Sequence, residues 1–122
     1  MSDVFAQVKV PAQAKYILPI RLFLAGIAVR MDFPAETIED IKMAAAEACS
    51  ILMAGAAEAE ALCCNTAEQA DHSLRIDLCL EGKVLPGEAD DISRAILEAM
   101  ADECTFNYQQ GVCRGITICF KN

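Results

Sequence analysis

The chain has 122 residues, with 10 Lys and Arg against 18 Asp and Glu and a formal net charge of −8. Its basic residues are scattered singly, whereas nucleic acids and anionic membrane surfaces are bound by clustered Lys and Arg, so neither is expected as a partner. The length favours a single domain over residues 1–122, since compact domains most often have roughly 100–150 residues. No stretch of about 20 nearly uncharged residues predicts a transmembrane helix.

The cysteines indicate the cellular compartment. There are seven of them, an odd number, and they show no regular spacing. The opening Met-Ser-Asp-Val-Phe-Ala-Gln lacks a basic region followed by an apolar one, so no signal peptide is predicted. Together these features predict reduced thiols in a cytoplasmic protein, most of them buried as small apolar side chains.

The first half of the chain predicts one strand and two helices. Alternation from Val4 to Val10 predicts a strand that ends at Pro11. Apolar residues three and four apart predict an amphipathic helix from Ile17 to Met31. Pro34 suits the first position of a second helix. One apolar stripe of this second helix is formed by Ile38, Ile41, Ala45, Ala48 and Leu52.

The middle of the chain is less clear. The second helix either ends near Gly55 or continues towards the Cys63-Cys64 pair, and the sequence leaves both open. Alternation from Leu74 to Leu80 then predicts a strand that Gly82 ends.

A third helix and a hairpin complete the chain. Asp90 or Asp91 can cap the helix. Its apolar residues are Ile92, Ile96, Ala99 and Met100. In the hairpin, Cys104, Phe106 and Tyr108 alternate, residues 109–115 form the turn, and Ile116, Ile118 and Phe120 return. The order predicts an α+β fold, a two-layer sandwich of three helices on one face of a mixed, mostly antiparallel sheet.

Few residues suggest chemistry. Metal ions are commonly bound by cysteine and histidine, which occur close together as Cys63, Cys64 and His72. Zinc sites, however, usually show paired ligands two to four residues apart on both sides of the site. Thiols packed near a helix end beside a surface histidine are the favoured interpretation, so no metal site is predicted. A small cysteine-based thiol or metal-binding module built on these three residues is kept as an alternative.

Glu47 is an acidic residue within the apolar stretch Ala44–Cys49. Helical geometry places it with Asp40 and Ile51 on the face opposite the apolar stripe. On composition alone, a solvated helix face explains this residue well.

Three segments resemble a known family. Lys9–Tyr16, Ile20–Met31 and Ile38–Cys49 closely resemble the bacterial anti-sigma-factor serine kinases of the histidine-kinase-like ATPase superfamily. The resemblance covers roughly residues 7–50, and Ile96–Phe120 more loosely. It implies a shortened histidine-kinase-like ATPase fold.

The resemblance also implies what has changed. In the family a Glu acts as general base, an Asn four residues later holds the magnesium of bound ATP, and a His follows. Glu47 occupies the Glu position as a vestigial base, but Ile51 stands at the Asn position and Gly55 at the His position. An aliphatic side chain offers no oxygen to a hard cation.

A larger segment of the family is also missing here. After Gly82 the chain passes through Pro86-Gly87 directly into the third helix. The family's adenine-reading Asp-x-Gly strand, mobile lid and Gly-rich turn have no counterpart, which implies a fold that lacks the lid.

These departures predict a non-catalytic, anti-sigma-factor-like regulator without ATP, magnesium or a catalytic residue. A sigma factor or an anti-anti-sigma antagonist is the expected partner, with Arg21 at a partner-contacting position of the family. Family members commonly act as homodimers, which stays open for this chain.

The alternative function is an ATP-binding serine/threonine protein kinase with a rebuilt pocket, in which an oxygen ligand replaces the lost Asn. Asp40 and Glu58 are the candidate ligands. Glu58 lies about two helical turns from Ile51 and Asp40 about three, which makes both poor substitutes.

Overall fold

The computed structural model describes residues 3–87 and 91–122. Asp90, one of the two predicted caps of the third helix, lies outside them. In chain order the elements are β1 Asp3–Val10, a 3-10 turn Ala14–Tyr16, α1 Ile17–Arg30, α2 Ala35–Met53, β2 Ala59–Glu68, β3 Leu74–Gly82, α3 Asp91–Met100, β4 Glu103–Gln109 and β5 Val112–Phe120.

The strands form one sheet in the order β1-β2-β3-β5-β4, so β1 and β4 are its edges. Each of the four pairings in the described part of the chain is antiparallel. The predicted α+β class and the mostly antiparallel sheet are therefore confirmed.

Alternation along the strands separates two faces of the sheet. In β3 the even-numbered residues from Leu74 to Leu80 are at most 2% exposed, and their neighbours Arg75 to Glu81 point to the other side. The strand register places Ile116, Ile118 and Phe120 of β5 on the same face as these even-numbered residues of β3. We call this the inner face of the sheet, and the opposite side its outer face.

The helices cover the inner face. Ile20, Leu24 and Ala28 of α1 and the predicted stripe of α2 enter one core with the inner face of the sheet. Leu97 is the fully buried residue of α3, whereas Ile92 and Ile96 are 67% and 37% exposed and Ala99 is also exposed, so the predicted stripe of the third helix was wrong in these three positions. No described helix is long and apolar enough to span a membrane.

Strand β2 is absent from the sequence prediction. The second helix ends at Met53, and the chain returns through the middle of the sheet as Ala59–Glu68. Cys63 and Cys64 therefore lie within a strand, and their predicted place near a helix end was wrong. β2 is buried on both faces from Ala61 to Cys64, so its residues show no alternation, and its Ala- and Glu-rich start suits a helix.

Two boundaries also differ. Pro34 is the N-cap of α2 and not its first residue. The last hairpin turns within Gln110 and Gly111, which both have positive φ, and not over residues 109–115. Positive φ at both central residues is the geometry of a two-residue type I′ hairpin turn, whose twist matches that of the strands.

Candidate functional site

A cavity of about 460 Å³ lies at the C-terminal end of α2. Its volume falls within the roughly 300–1,000 Å³ of small-molecule pockets. Its lining residues come from α2, the β3–α3 connection, α3 and the final hairpin. They are Ile51, Leu52, Ala54, Gly55, Leu85, Gly87, Asp91, Arg94, Tyr108, Gly111 and Cys113.

Ile51 forms part of the cavity wall. The residue is 7% exposed and belongs to the core, although helical spacing places it on the face opposite the predicted stripe. The physical reason is that α3 and residues 85–87 cover that side of α2, which helical periodicity alone does not reveal. Glu47, one turn earlier, is half-buried and does not line the cavity.

Among the residues that the structure describes, one carboxylate lines the cavity, and sequence reasoning missed it as a ligand. Asp91 is the first residue of α3 and stands in the same cavity wall as Ile51, whereas Asp40 and Glu58 are not among the lining residues. The sequence indicated Asp91 only as a helix cap. Its proximity to Ile51 depends on how α3 packs on α2, for which the sequence carries no local signal.

Arg94, a positively charged residue of the cavity wall, is held in place by the last hairpin. Arg94 donates a hydrogen bond from Nη1 to the Tyr108 hydroxyl at 2.9 Å. Its guanidinium carbon also lies 4.0 Å from the centroid of the Phe106 ring, within the range of a cation–π contact. Both contacts orient Arg94 towards β4.

The β3–α3 connection packs backbone to backbone against the end of α2. The Leu85 amide donates to the Gly55 carbonyl at 3.0 Å. A Cβ at Gly55 would overlap the carbonyl oxygen of Leu85, and one at Gly87 would lie 2.6 Å from the carbonyl oxygen of Ala54. Glycine is therefore required at both positions, and residues 85–87 lie directly on the end of α2.

A second feature is the outer surface of α1. Leu18, Leu22 and Val29 are 56%, 60% and 60% exposed, and their spacing of four and seven residues places them on one helix face. We call these three residues the α1 outer stripe. Because α1 also has an apolar face that packs in the core, the helix is apolar on two sides. Packing in the core accounts for the inward side and not for the α1 outer stripe.

Arg21 lies next to this stripe, three residues after Leu18. Its side chain is half-buried, and its Nε is buried without a hydrogen-bond partner in the described part of the chain. A buried guanidinium nitrogen ordinarily has an acceptor, so Arg21 is an exception among the described residues.

Cys63, Cys64 and His72 do not come together. As consecutive residues of β2, Cys63 and Cys64 point to opposite faces of the sheet. His72 lies in the β2–β3 turn, 79% exposed, with its Nδ1 3.1 Å from Oε2 of Glu68. Within residues 3–87 and 91–122, no group of three or more His, Cys, Asp and Glu side chains is arranged to hold a metal ion.

Comparison with known proteins gives short but close matches. No family model matches the sequence. The serine-protein kinases RsbW of Bacillus thuringiensis (strain Al Hakam) and Bacillus cereus (strain B4264) are each 50% identical over 44 residues. The match spans 36% of this chain and 28% of the length of these relatives.

A solved structure matches over nearly the whole chain. The crystal structure of a Mycobacterium tuberculosis chain with RsbU and RsbW domains superimposes with a TM-score of 0.74 at 14% identity. The alignment covers 95% of this chain and 32% of that one, and at this identity it shows a shared fold. The 44-residue match and the fold together relate this chain to the RsbW anti-sigma-factor serine kinases.

Proposed function

We propose that the protein is a non-catalytic, anti-sigma-factor-like regulator that acts in the cytoplasm by binding a sigma factor or an anti-anti-sigma antagonist. The α1 outer stripe is the observation that carries this proposal. Apolar side chains grouped on one exposed face are typical of protein interaction sites. Arginine beside apolar side chains is a common interface composition, and Arg21 is the proposed contact residue.

The cavity supports the loss of catalysis. Phosphoryl transfer of this kind depends on a metal ion and positioned donors that stabilise the transferring phosphate. Ile51 offers no oxygen at the magnesium position, and residues 85–87 pack directly on the end of α2. Glu47, the residue at the base position, does not line the cavity.

One observation favours the alternative, an ATP-binding serine/threonine kinase with a rebuilt pocket. Asp91 and Arg94 line the same cavity, so a carboxylate for magnesium and a cation for phosphate are both present. The non-catalytic function is favoured because Arg94 is already bound to Tyr108 and Asp91 alone, among the described lining residues, offers a carboxylate to magnesium.

Thermal unfolding distinguishes the two functions. We expect no change in Tm with millimolar Mg-ATP or Mg-ADP. A ligand at 100 times its Kd would add about 2.7 kcal/mol to the free energy of unfolding and raise the Tm by several degrees. A rise that the Asp91→Asn variant abolishes would replace our proposal with the rebuilt kinase pocket.

A further inference from the structure

Two cysteines lie side by side on adjacent strands at the outer face of the sheet. Cys63 of β2 and Cys79 of β3 are direct partners in the antiparallel register. Directly opposed residues of such strands have Cα atoms about 4.5–5.5 Å apart, and disulfides span about 4.4–6.8 Å between Cα atoms. Among the described strand pairings, no other pair joins two cysteines.

The neighbours of this pair form a small polar cluster on the outer face of the sheet. Cys63 donates a hydrogen bond from its thiol to Oε2 of Glu81 at 3.0 Å. The other oxygen of Glu81 lies 2.9 Å from Nζ of Lys9. Both cysteines line a groove of about 240 Å³ together with Lys9 and Glu81. On the far side of Cys79, its register partner is Gly115, which places no side chain over the sulfur.

We propose that Cys63 and Cys79 form a thiol pair that hydroperoxides oxidise reversibly to a cross-strand disulfide. The pair is independent of the proposed partner binding, since it lies on the face of the sheet opposite the helices. The disulfide joins two strands that are already paired in register, so its formation needs no change in the core.

Cys79 reacts first, because it is half-exposed whereas Cys63 is 6% exposed. Burial raises the pKa of both thiols, to about 12 for Cys63, so the greater exposure of Cys79 decides the order. The ionised sulfur of Cys79 attacks one oxygen of the hydroperoxide. The S–O bond forms, the O–O bond breaks, and the alcohol, or water from hydrogen peroxide, leaves after taking up a proton.

Cys63 resolves the resulting sulfenic acid. Its sulfur attacks the sulfur of Cys79 while the ionised Glu81 accepts the hydrogen bond of its thiol, and the thiol proton passes to the departing oxygen. The S–S bond forms, the S–O bond breaks, and the departing hydroxide takes up the proton and leaves as water. Two thiols are oxidised to one disulfide, and one hydroperoxide is reduced. Lys9 keeps Glu81 ionised, because the ion pair lowers the pKa of that carboxyl.

Peptide mapping tests the pair directly. The folded protein is treated with hydrogen peroxide, alkylated and digested with trypsin without reduction. We expect the free thiols to fall from seven to five and peptide 76–83, whose single cysteine is Cys79, to be linked to peptide 43–75. Dithiothreitol should release the link.

Variants assign the second sulfur, since peptide 43–75 also contains Cys49 and Cys64. Cys63→Ala should abolish the link, and Cys119→Ala, which removes another outer-face thiol, should keep it. Glu81→Gln should slow disulfide formation several-fold and let a sulfenic acid accumulate that dimedone traps. A link that survives in Cys63→Ala, or wild-type protein that loses thiols without linking these peptides, would overturn the proposal.

Discussion

Replacing Leu22 with glutamate is expected to weaken partner binding by about 30-fold or more, since central interface residues commonly contribute about 2 kcal/mol or more. Leu22 is 60% exposed at the middle of the α1 outer stripe. A carboxylate there would lose the apolar contact and be desolvated against the partner. The stability should change by less than about 0.5 kcal/mol, because the site is exposed and both residues favour helix.

The matched control is Ile92→Glu. Ile92 is 67% exposed, but it lies on α3 and outside the stripe. Affinity should be measured by titration calorimetry with a purified sigma factor or antagonist from the source organism, selected by two-hybrid screening. Equal loss of affinity in both variants, or none in Leu22→Glu, would contradict binding through α1.

Light scattering on the same variants separates two roles of the stripe. A wild-type dimer that Leu22→Glu converts to a monomer would assign the stripe to self-association. An unchanged oligomeric state together with lost partner affinity would assign it to the partner.

Where one face of an element is buried and the other is wet, the sequence predicted the structure well. The leucines of β3 alternate with polar residues because α2 covers one face only, and α2 itself shows its buried stripe at helical spacing. These local patterns, with the order of elements, were sufficient for the fold class.

Where burial comes from the assembled fold, prediction failed. β2 lies between two strands, and side chains such as Lys9 and Glu81 cover its outer face, so its buried residues follow no period of two. The same cause explains the site. Ile51 is buried by α3 and residues 85–87, and the packing of α3 on α2 brings Asp91 into the cavity wall. Both depend on contacts between segments that are distant in the sequence, so no short stretch of the sequence reveals them.

Gly55→Ala is expected to destabilise the protein by about 1–2 kcal/mol, although glycine-to-alanine changes often stabilise. Alanine would reduce the entropy of the unfolded chain, a gain of about 0.4–1 kcal/mol. The new Cβ would, however, overlap the backbone carbonyl oxygen of Leu85. Leu85 cannot easily shift away, because its amide donates a hydrogen bond to the Gly55 carbonyl. Overpacking of this kind costs about 1–3 kcal/mol, so the loss should exceed the gain.

Gly26→Ala provides the control, because a Cβ at Gly26 would meet nothing within 4 Å in the middle of α1. That variant should be more stable by about 0.5–1 kcal/mol. Denaturant unfolding of both variants measures how firmly the β3–α3 connection is fixed on α2. If Gly55→Ala were as stable as Gly26→Ala, residues 85–87 could move away, and the cavity could then open far enough to favour the rebuilt nucleotide pocket. A clear loss of stability in Gly55→Ala alone would mean that residues 85–87 are firmly packed on the end of α2 and close the cavity there.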